Sequence, residues 1–123
     1  MHVEVSQAPT LRKKLQLKPG MKIKVLAKPR GLEFGDLDFS AGQADALLLF
    51  VTTLAEVDDK SAPIVAAAKA DGLAWIAYPK AGQLGTDLNR DLLSRHLERA
   101  GVQPVRQVAL DDVWSAMRFR PAT

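Results

Sequence analysis

Two short segments constrain this chain more than any others. Ala46-Leu47-Leu48-Leu49-Phe50-Val51 and Leu73-Ala74-Trp75-Ile76-Ala77-Tyr78 lack the polar alternation of a half-exposed strand. A strand that faces water on one side alternates apolar and polar residues, whereas one covered on both sides does not. Both segments therefore read as central strands of a parallel sheet. The stretch between them reads as helix. Thr53-Leu54-Ala55-Glu56 fits a capping box, with Thr53 as cap and Glu56 reaching back, and the helix runs to about Asp59. Ser61 is positioned to cap a second helix with Pro63 in its first turn and Ile64, Val65 and Ala68 as its packing face, closed by Asp71-Gly72. Strand, helix and parallel strand form a crossover unit of nearly invariant right hand.

The flanking segments extend this unit. Residues 1–8 read as a flexible tail or short edge strand. Thr10 can cap a short helix through Leu17, with Leu11 and Leu15 on one face, ended by Lys18-Pro19-Gly20. Met21 to Ala27 is a first strand whose Met21, Ile23 and Val25 alternate with Lys22 and Lys24. Lys28-Pro29-Arg30-Gly31 is a turn. Leu32 to Gln43 reads as irregular, with an edge strand near Leu37–Phe39. After Tyr78, Pro79 is expected to end the strand because it cannot donate to a ladder. Thr86 is expected to cap the next helix. Leu88, Leu92, Leu93, Leu97 and Ala100 would form its apolar stripe, Arg95 and Arg99 would lie near its C-terminus, and Gly101 would follow its end. Val102 to Leu110 and Val113 to Arg120 read as strands joined tightly at Asp111-Asp112, hence antiparallel.

A chain of 123 residues suits one domain spanning 1–123. Cysteine is absent, which excludes disulfides, thiolate metal sites and cysteine nucleophiles. No apolar run approaches the length of a membrane span, the longest being Ala44 to Val51 with Asp45 inside it. No signal peptide pattern is visible at the N-terminus, so a cytoplasmic protein with no membrane association is expected. The net charge of +3 is unevenly spread. Residues 12–30 hold Arg12, Lys13, Lys14, Lys18, Lys22, Lys24, Lys28 and Arg30 with no acid, while residues 31–60 hold seven acids and only Lys60. The basic block reads as a solvated face offsetting its acidic neighbour. A nucleic-acid reader would add stacking aromatics, and the block contains none.

The order of elements is similar to a truncated class I methyltransferase domain. Leu15-Gln16-Leu17-Lys18-Pro19-Gly20-Met21-Lys22-Ile23-Lys24-Val25-Leu26 resembles the run into the first strand of such enzymes, and Ala44-Asp45-Ala46-Leu47 the start of the fourth. The resemblance implies a three-layer Rossmann-like α/β sheet, mostly parallel, ending in an antiparallel strand pair. It does not carry the cofactor with it. These enzymes place a Gly-rich loop after the first strand, where this chain reads Ala27-Lys28-Pro29-Arg30-Gly31, and their acidic second strand has no counterpart here. Over most of its length the chain also resembles a group of small bacterial proteins, the domain-of-unknown-function family 3052. The matching residues are Lys18-Pro19-Gly20, Leu48-Leu49-Phe50-Val51, Ala74-Trp75-Ile76-Ala77-Tyr78-Pro79-Lys80, Thr86-Asp87-Leu88-Asn89-Arg90 and Asp111-Asp112-Val113-Trp114-Ser115. That family implies a fold and no activity.

In open α/β sheets ligands bind outside the carboxyl ends of the strands, where strand order reverses. That rule collects Lys28 and Arg30 after the first strand, Thr52 after the second, Lys80 after the third, and Thr86, Asp87, Asn89 and Arg90 at the following helix start. Asp111, Asp112, Trp114 and Ser115 join them if Val102–Leu110 runs parallel to these strands. Lys80 is placed either to bind an anion or to pair with Asp111 or Asp112. Trp75 reads as core, and Trp114 as hairpin packing ahead of a ligand platform. His96 has no partner histidine for a metal, and no serine–histidine catalytic set or Walker-type phosphate loop occurs. No cofactor is implied. Three functions follow in order of preference. The first is a non-catalytic domain binding an anionic ligand or a protein partner, a second copy included. The second is a degenerate S-adenosylmethionine-dependent transferase. The third is a nucleic-acid accessory acting through Arg12, Lys13, Lys14 and Lys18.

Overall fold

The computed structural model describes residues 11–18, 20–29, 42–80 and 82–122. The expectations for residues 1–8, the Thr10 cap, Pro19, Arg30 and the Leu37–Phe39 edge strand lie outside the described residues. The elements run α1 (Leu11–Lys14), β1 (Ile23–Leu26), β2 (Ala46–Phe50), α2 (Leu54–Lys60), α3 (Ala62–Lys69), β3 (Leu73–Pro79), α4 (Arg90–Glu98), β4 (Val102–Ala109) and β5 (Trp114–Pro121). The five strands form one sheet of order β1-β2-β3-β5-β4. β1, β2 and β3 pair in parallel, and β5 pairs antiparallel with both β3 and β4. β4 therefore points the same way as β3, and its carboxyl end lies on the same edge. This is a Rossmann-like mixed sheet, parallel at first and antiparallel at the end.

The two central strands alternate between two cores. Leu49 of β2 and Val51 just after it, with Ala74, Ile76 and Tyr78 of β3, face one core, which also takes Val57, Ile64, Ala68, Leu93 and Leu97 from α2, α3 and α4. Ala46, Leu48 and Phe50, with Trp75 and Ala77, face the other, with Leu15 and Leu17 after α1. Trp75 is fully buried, as its sequence setting implies. The three-layer expectation changes in one respect. α2, α3 and α4 all cover one face, and the second face is covered, among the described residues, by the chain around Leu15 and Leu17. The physical reason lies in the strand order. The successive parallel strands β1, β2, β3 and β4 advance in one direction across the sheet, and right-handed crossovers that advance one way put their helices on one face.

Several boundaries shift for local reasons. α1 stops at Lys14, short of Leu17, because Gln16 adopts φ +63°. β1 is shorter than Met21–Ala27 because Ala27 turns into the same left-handed region at φ +60°. The capping box at α2 forms as read, with Thr53 accepting from the Glu56 amide and Glu56 returning to the Thr53 amide. Ser61 does not cap α3 through its side chain: it is already the last residue of the α2 turn, in helical conformation. Pro79 ends β3 as expected, as its last residue. It pairs opposite Trp114, and the next amide, Lys80 N–H, donates to Val113 C=O at 2.7 Å.

One irregularity matters for function. The β4–β5 register slips between Pro104 and Arg106, leaving the exposed Val105 as a bulge on an edge strand. One extra residue inverts the alternation beyond it. Val102 accordingly faces the helix-covered core while Val108, six residues later, faces the other. The bulge also turns Gln107 to the helix side, beside Tyr78.

Candidate functional site

The carboxyl edge divides into a closed part and an open part. The closed part is the β2–α2 turn. Thr52 N–H and Thr53 N–H both donate to Glu56 Oε1, and Glu56 N–H donates to the Thr53 hydroxyl at 3.2 Å. Leu54 N–H, at the first position of α2, donates to Asp87 Oδ1 at 2.9 Å. The Thr86 hydroxyl donates to the Thr52 carbonyl and accepts from Leu88 N–H at 2.9 Å. Helix N-termini attract anions because their first amides lack partners. Here the protein's own Glu56 and Asp87 fill that role, so Thr52, Thr86 and Asp87 tie two loops together and leave nothing for a ligand.

Thr86 is therefore not the cap of α4. That helix starts at Arg90 and is capped by Asn89, whose side chain accepts from Leu92 N–H at 2.9 Å. Both residue types cap well, and the choice falls to Asn89 because the Thr86 hydroxyl is held by Thr52, a contact spanning 34 positions. Leu88 is buried ahead of the helix, and Leu92 lies on its exposed side.

The open part is a cleft of about 430 Å³ at the carboxyl ends of β3 and β4, with the start of β5 between them. Tyr78 and Lys80 line it from β3 and its end, Ser115 from β5, Gln107 from β4, and Asn89, Arg90 and Asp91 from the start of α4. Ser115 and Tyr78 are register partners on neighbouring strands. Gln107 Nε2 donates to the Tyr78 hydroxyl at 2.9 Å. Burial pushes the Tyr78 phenol above its ordinary value, against smaller downward pulls from the Arg90 charge and the Gln107 bond, with Asp91 pushing upward. Ser115 is only 7% exposed and lines the cleft, and among the described residues the buried side-chain atoms left without a hydrogen bond are Trp75 Nε1 and Arg118 Nε, not its hydroxyl. Lys80 makes no ion pair among the described residues, and Arg90 Nε stands 3.7 Å from Asp91 Oδ1, too long for a hydrogen bond.

Of the residues singled out from sequence, Lys80, Asn89, Arg90 and Ser115 come together. Lys28 lies at the end of edge strand β1, two strands away from β3. Asp111 does not meet Lys80: its carboxylate accepts from Val113 N–H and Trp114 N–H at 2.8 and 2.7 Å, a local turn bond. Asp112 is exposed in the same turn. Trp114 packs edge-on against Phe50, with centroids 5.0 Å apart and planes at 79°, in the core opposite the cleft. Its role is packing. Tyr78, Asp91 and Gln107 complete the cleft and were not singled out from sequence. Tyr78 sat inside an apolar run, Asp91 lies one residue beyond the Thr86–Arg90 segment that drew attention, and Gln107 depends on the bulge.

Elsewhere, His96 on α4 contacts Asp58 of α2. No group of three or more His, Cys, Asp or Glu positioned for a metal occurs among the described residues. Among them, no helix is long and apolar enough to cross a membrane.

No protein-family model matches the chain, the family 3052 resemblance included, and no curated protein is similar to it. Among solved structures the chain is similar to LepI in complex with SAM, at 16% identity and a TM-score of 0.42, over 91% of this chain and 39% of that one. The chain thus spans about two-fifths of that protein's length, and a likeness this distant carries no argument about activity or cofactor.

Proposed function

We propose that this chain is a non-catalytic binding domain that takes a small anionic ligand in the β3–β5–β4 cleft. The observation that carries the reading is the meeting of Lys80 and Arg90 at one cleft with the first turn of α4 and with Ser115. An oxyanion there would accept from the hydroxyl, offset the two cations and place negative charge at a helix start. The cleft volume is in the range of small-molecule sites, roughly 300–1,000 Å³. Among the described residues, no hydrogen bond joins a nucleophile to a base in it.

Titration of the full chain with sodium acetate, followed by backbone amide shifts at constant ionic strength, tests the reading. We expect saturable shifts centred on Lys80, Arg90 and Ser115. Lys80→Ala and Arg90→Ala should each weaken binding about fivefold to tenfold, the scale of one charge-assisted contact at a partly exposed site. Linear, non-saturating shifts, or shifts scattered over the lysines of residues 13–28, would refute it.

A further inference from the structure

We infer that the sheet face turned away from α2, α3 and α4 binds a single chloride ion between the Trp75 indole N–H and the Arg118 Nε–H. The site is separate from the cleft, which opens on the helix side, and it stands or falls without the proposed function. Its starting point is a pair of orphaned donors. Among the described residues, Trp75 Nε1 and Arg118 Nε are the buried side-chain polar atoms with no hydrogen bond. Buried donors almost always find an acceptor, because an unmet one loses its hydration with no return. The two side chains are neighbours. Trp75 on β3 and Arg118 on β5 are register partners. Trp75 belongs to the core on this face and is fully buried. Arg118 points the same way, since Met117 and Phe119 on either side of it face the helix-covered core. One acceptor between them serves both donors.

The surroundings select the kind of acceptor. Asp71, the acid whose charge acts on Arg118, is already taken by two bonds from Arg120 at 2.8 and 3.2 Å. Gln16 Oε1 accepts from Arg118 Nη1 at 2.8 Å, which serves another nitrogen of the guanidinium than Nε. Gln16 does so from φ +63°, a left-handed conformation disfavoured for any residue with a side chain. A water accepting from both donors would still have two O–H groups to place, and Trp75 sits among Leu15, Leu17, Leu48 and Phe50, whose side chains accept nothing. A halide accepts from both and donates nothing. Charge points the same way. Arg106 is the register partner of Arg118 on β4, and Arg120 lies two residues along on the same face, so three guanidiniums gather around one carboxylate. Like charges directly opposite each other destabilise a sheet. Burial holds the Arg118 guanidinium below its ordinary value, the Arg120 charge adds to this, Asp71 opposes it and Arg106 adds again. A buried anion offsets that repulsion, and the arginines offset the anion's own desolvation. Both donor atoms are enclosed, which favours a monatomic ion over an organic anion.

The experiment replaces sodium gluconate with sodium chloride at constant ionic strength and pH, read on indole N–H resonances and on urea midpoints. The chain has two tryptophans, Trp75 and Trp114, so two indole resonances report. We expect a saturable shift of the resonance that Trp75→Phe deletes, with the Trp114 resonance moving far less. The urea midpoint should rise with chloride in the wild-type chain, since an ion that binds only the folded state stabilises it. It should not rise in Trp75→Phe, which keeps an aromatic ring and removes the N–H. Arg118→Lys keeps the charge and removes Nε–H, and should weaken chloride about tenfold, the scale of one hydrogen bond to a charged group. Should Trp75→Phe fail to fold, the wild-type titration and Arg118→Lys decide the matter. A Trp75 resonance indifferent to chloride, as a bound water would leave it, would overturn the inference. So would linear shifts of both indoles, or a chloride response unchanged in Arg118→Lys.

Discussion

Replacing Thr86 with Val tests the most consequential contact outside the cleft. The hydroxyl donates to Thr52 C=O and accepts from Leu88 N–H, so Thr86→Val keeps the shape and removes two hydrogen bonds. Each is worth about 0.5–1.5 kcal/mol net, and both lie in a partly buried setting. The expected loss is about 2 kcal/mol. For a chain of this size that lowers the melting temperature by roughly 6–10 °C, between the values for smaller and larger domains. Urea unfolding measures the loss directly, with the slope unchanged if only the native state is affected. Thr86→Ser keeps the hydroxyl and should stay within about 0.5 kcal/mol of wild type. Asn89→Ala should cost about 1 kcal/mol by removing the true cap of α4. A Thr86→Val loss below about 0.5 kcal/mol, together with a silent Asn89→Ala, would mean that α4 starts earlier and that the tie to the β2–α2 turn does not exist.

Two further outcomes follow from the same geometry. Tyr78 is the sole tyrosine, so tyrosinate absorbance reads it alone, and it should titrate above the ordinary value of 10.0. A raised folded-state pKa means the unfolded chain ionises first. Stability should therefore hold below about pH 10 and fall as pH climbs through the folded value, shown by urea midpoints, and a midpoint unchanged up to about pH 11 would contradict the burial of this phenol. Gly101 has φ +93° after α4, and Gly101→Ala should cost about 1–2 kcal/mol in the same unfolding assay, since a Cβ is strained in the left-handed region whatever space surrounds it.

What could be read from the chain was what depends on near neighbours or on simple alternation. The capping box needs only Thr53 and Glu56, three residues apart, and it forms. The two apolar segments needed only a two-residue period to announce burial on both faces, and they carry both cores. The antiparallel end was legible because a short polar turn leaves little alternative. Several misreadings involve distant partners. Nothing near Thr86 reveals that Thr52 will claim its hydroxyl, and nothing near Asp87 shows that it will serve the N-terminus of α2 instead of α4. Gln107 was hidden by parity. Counted from Val102 it belongs on the face away from the helices, and only the slip at Val105 brings it to Tyr78. Lys80 had two acidic candidates in sequence, but Asp111 folds back onto the amides of its own turn.

The rule that ligands gather where strand order reverses points to the carboxyl edge, but its premise does not hold in this sheet. The described parallel strands never reverse: they advance from β1 to β4, and α2, α3 and α4 stay on one face. No crevice between diverging helices is created that way. What opens the edge instead is β5, which enters antiparallel between β3 and β4 and forces α4 to cross over it. The gap that remains between the start of α4, the carboxyl ends of β3 and β4 and the start of β5 is the cleft, and Ser115, the second residue of β5, lines it. The other helix start on this edge cannot compete for an anion, because Glu56 and Asp87 already occupy the amides of α2. At α4 the corresponding acid, Asp91, stands 3.7 Å from Arg90 Nε and leaves the cleft beside Lys80 and Ser115 open.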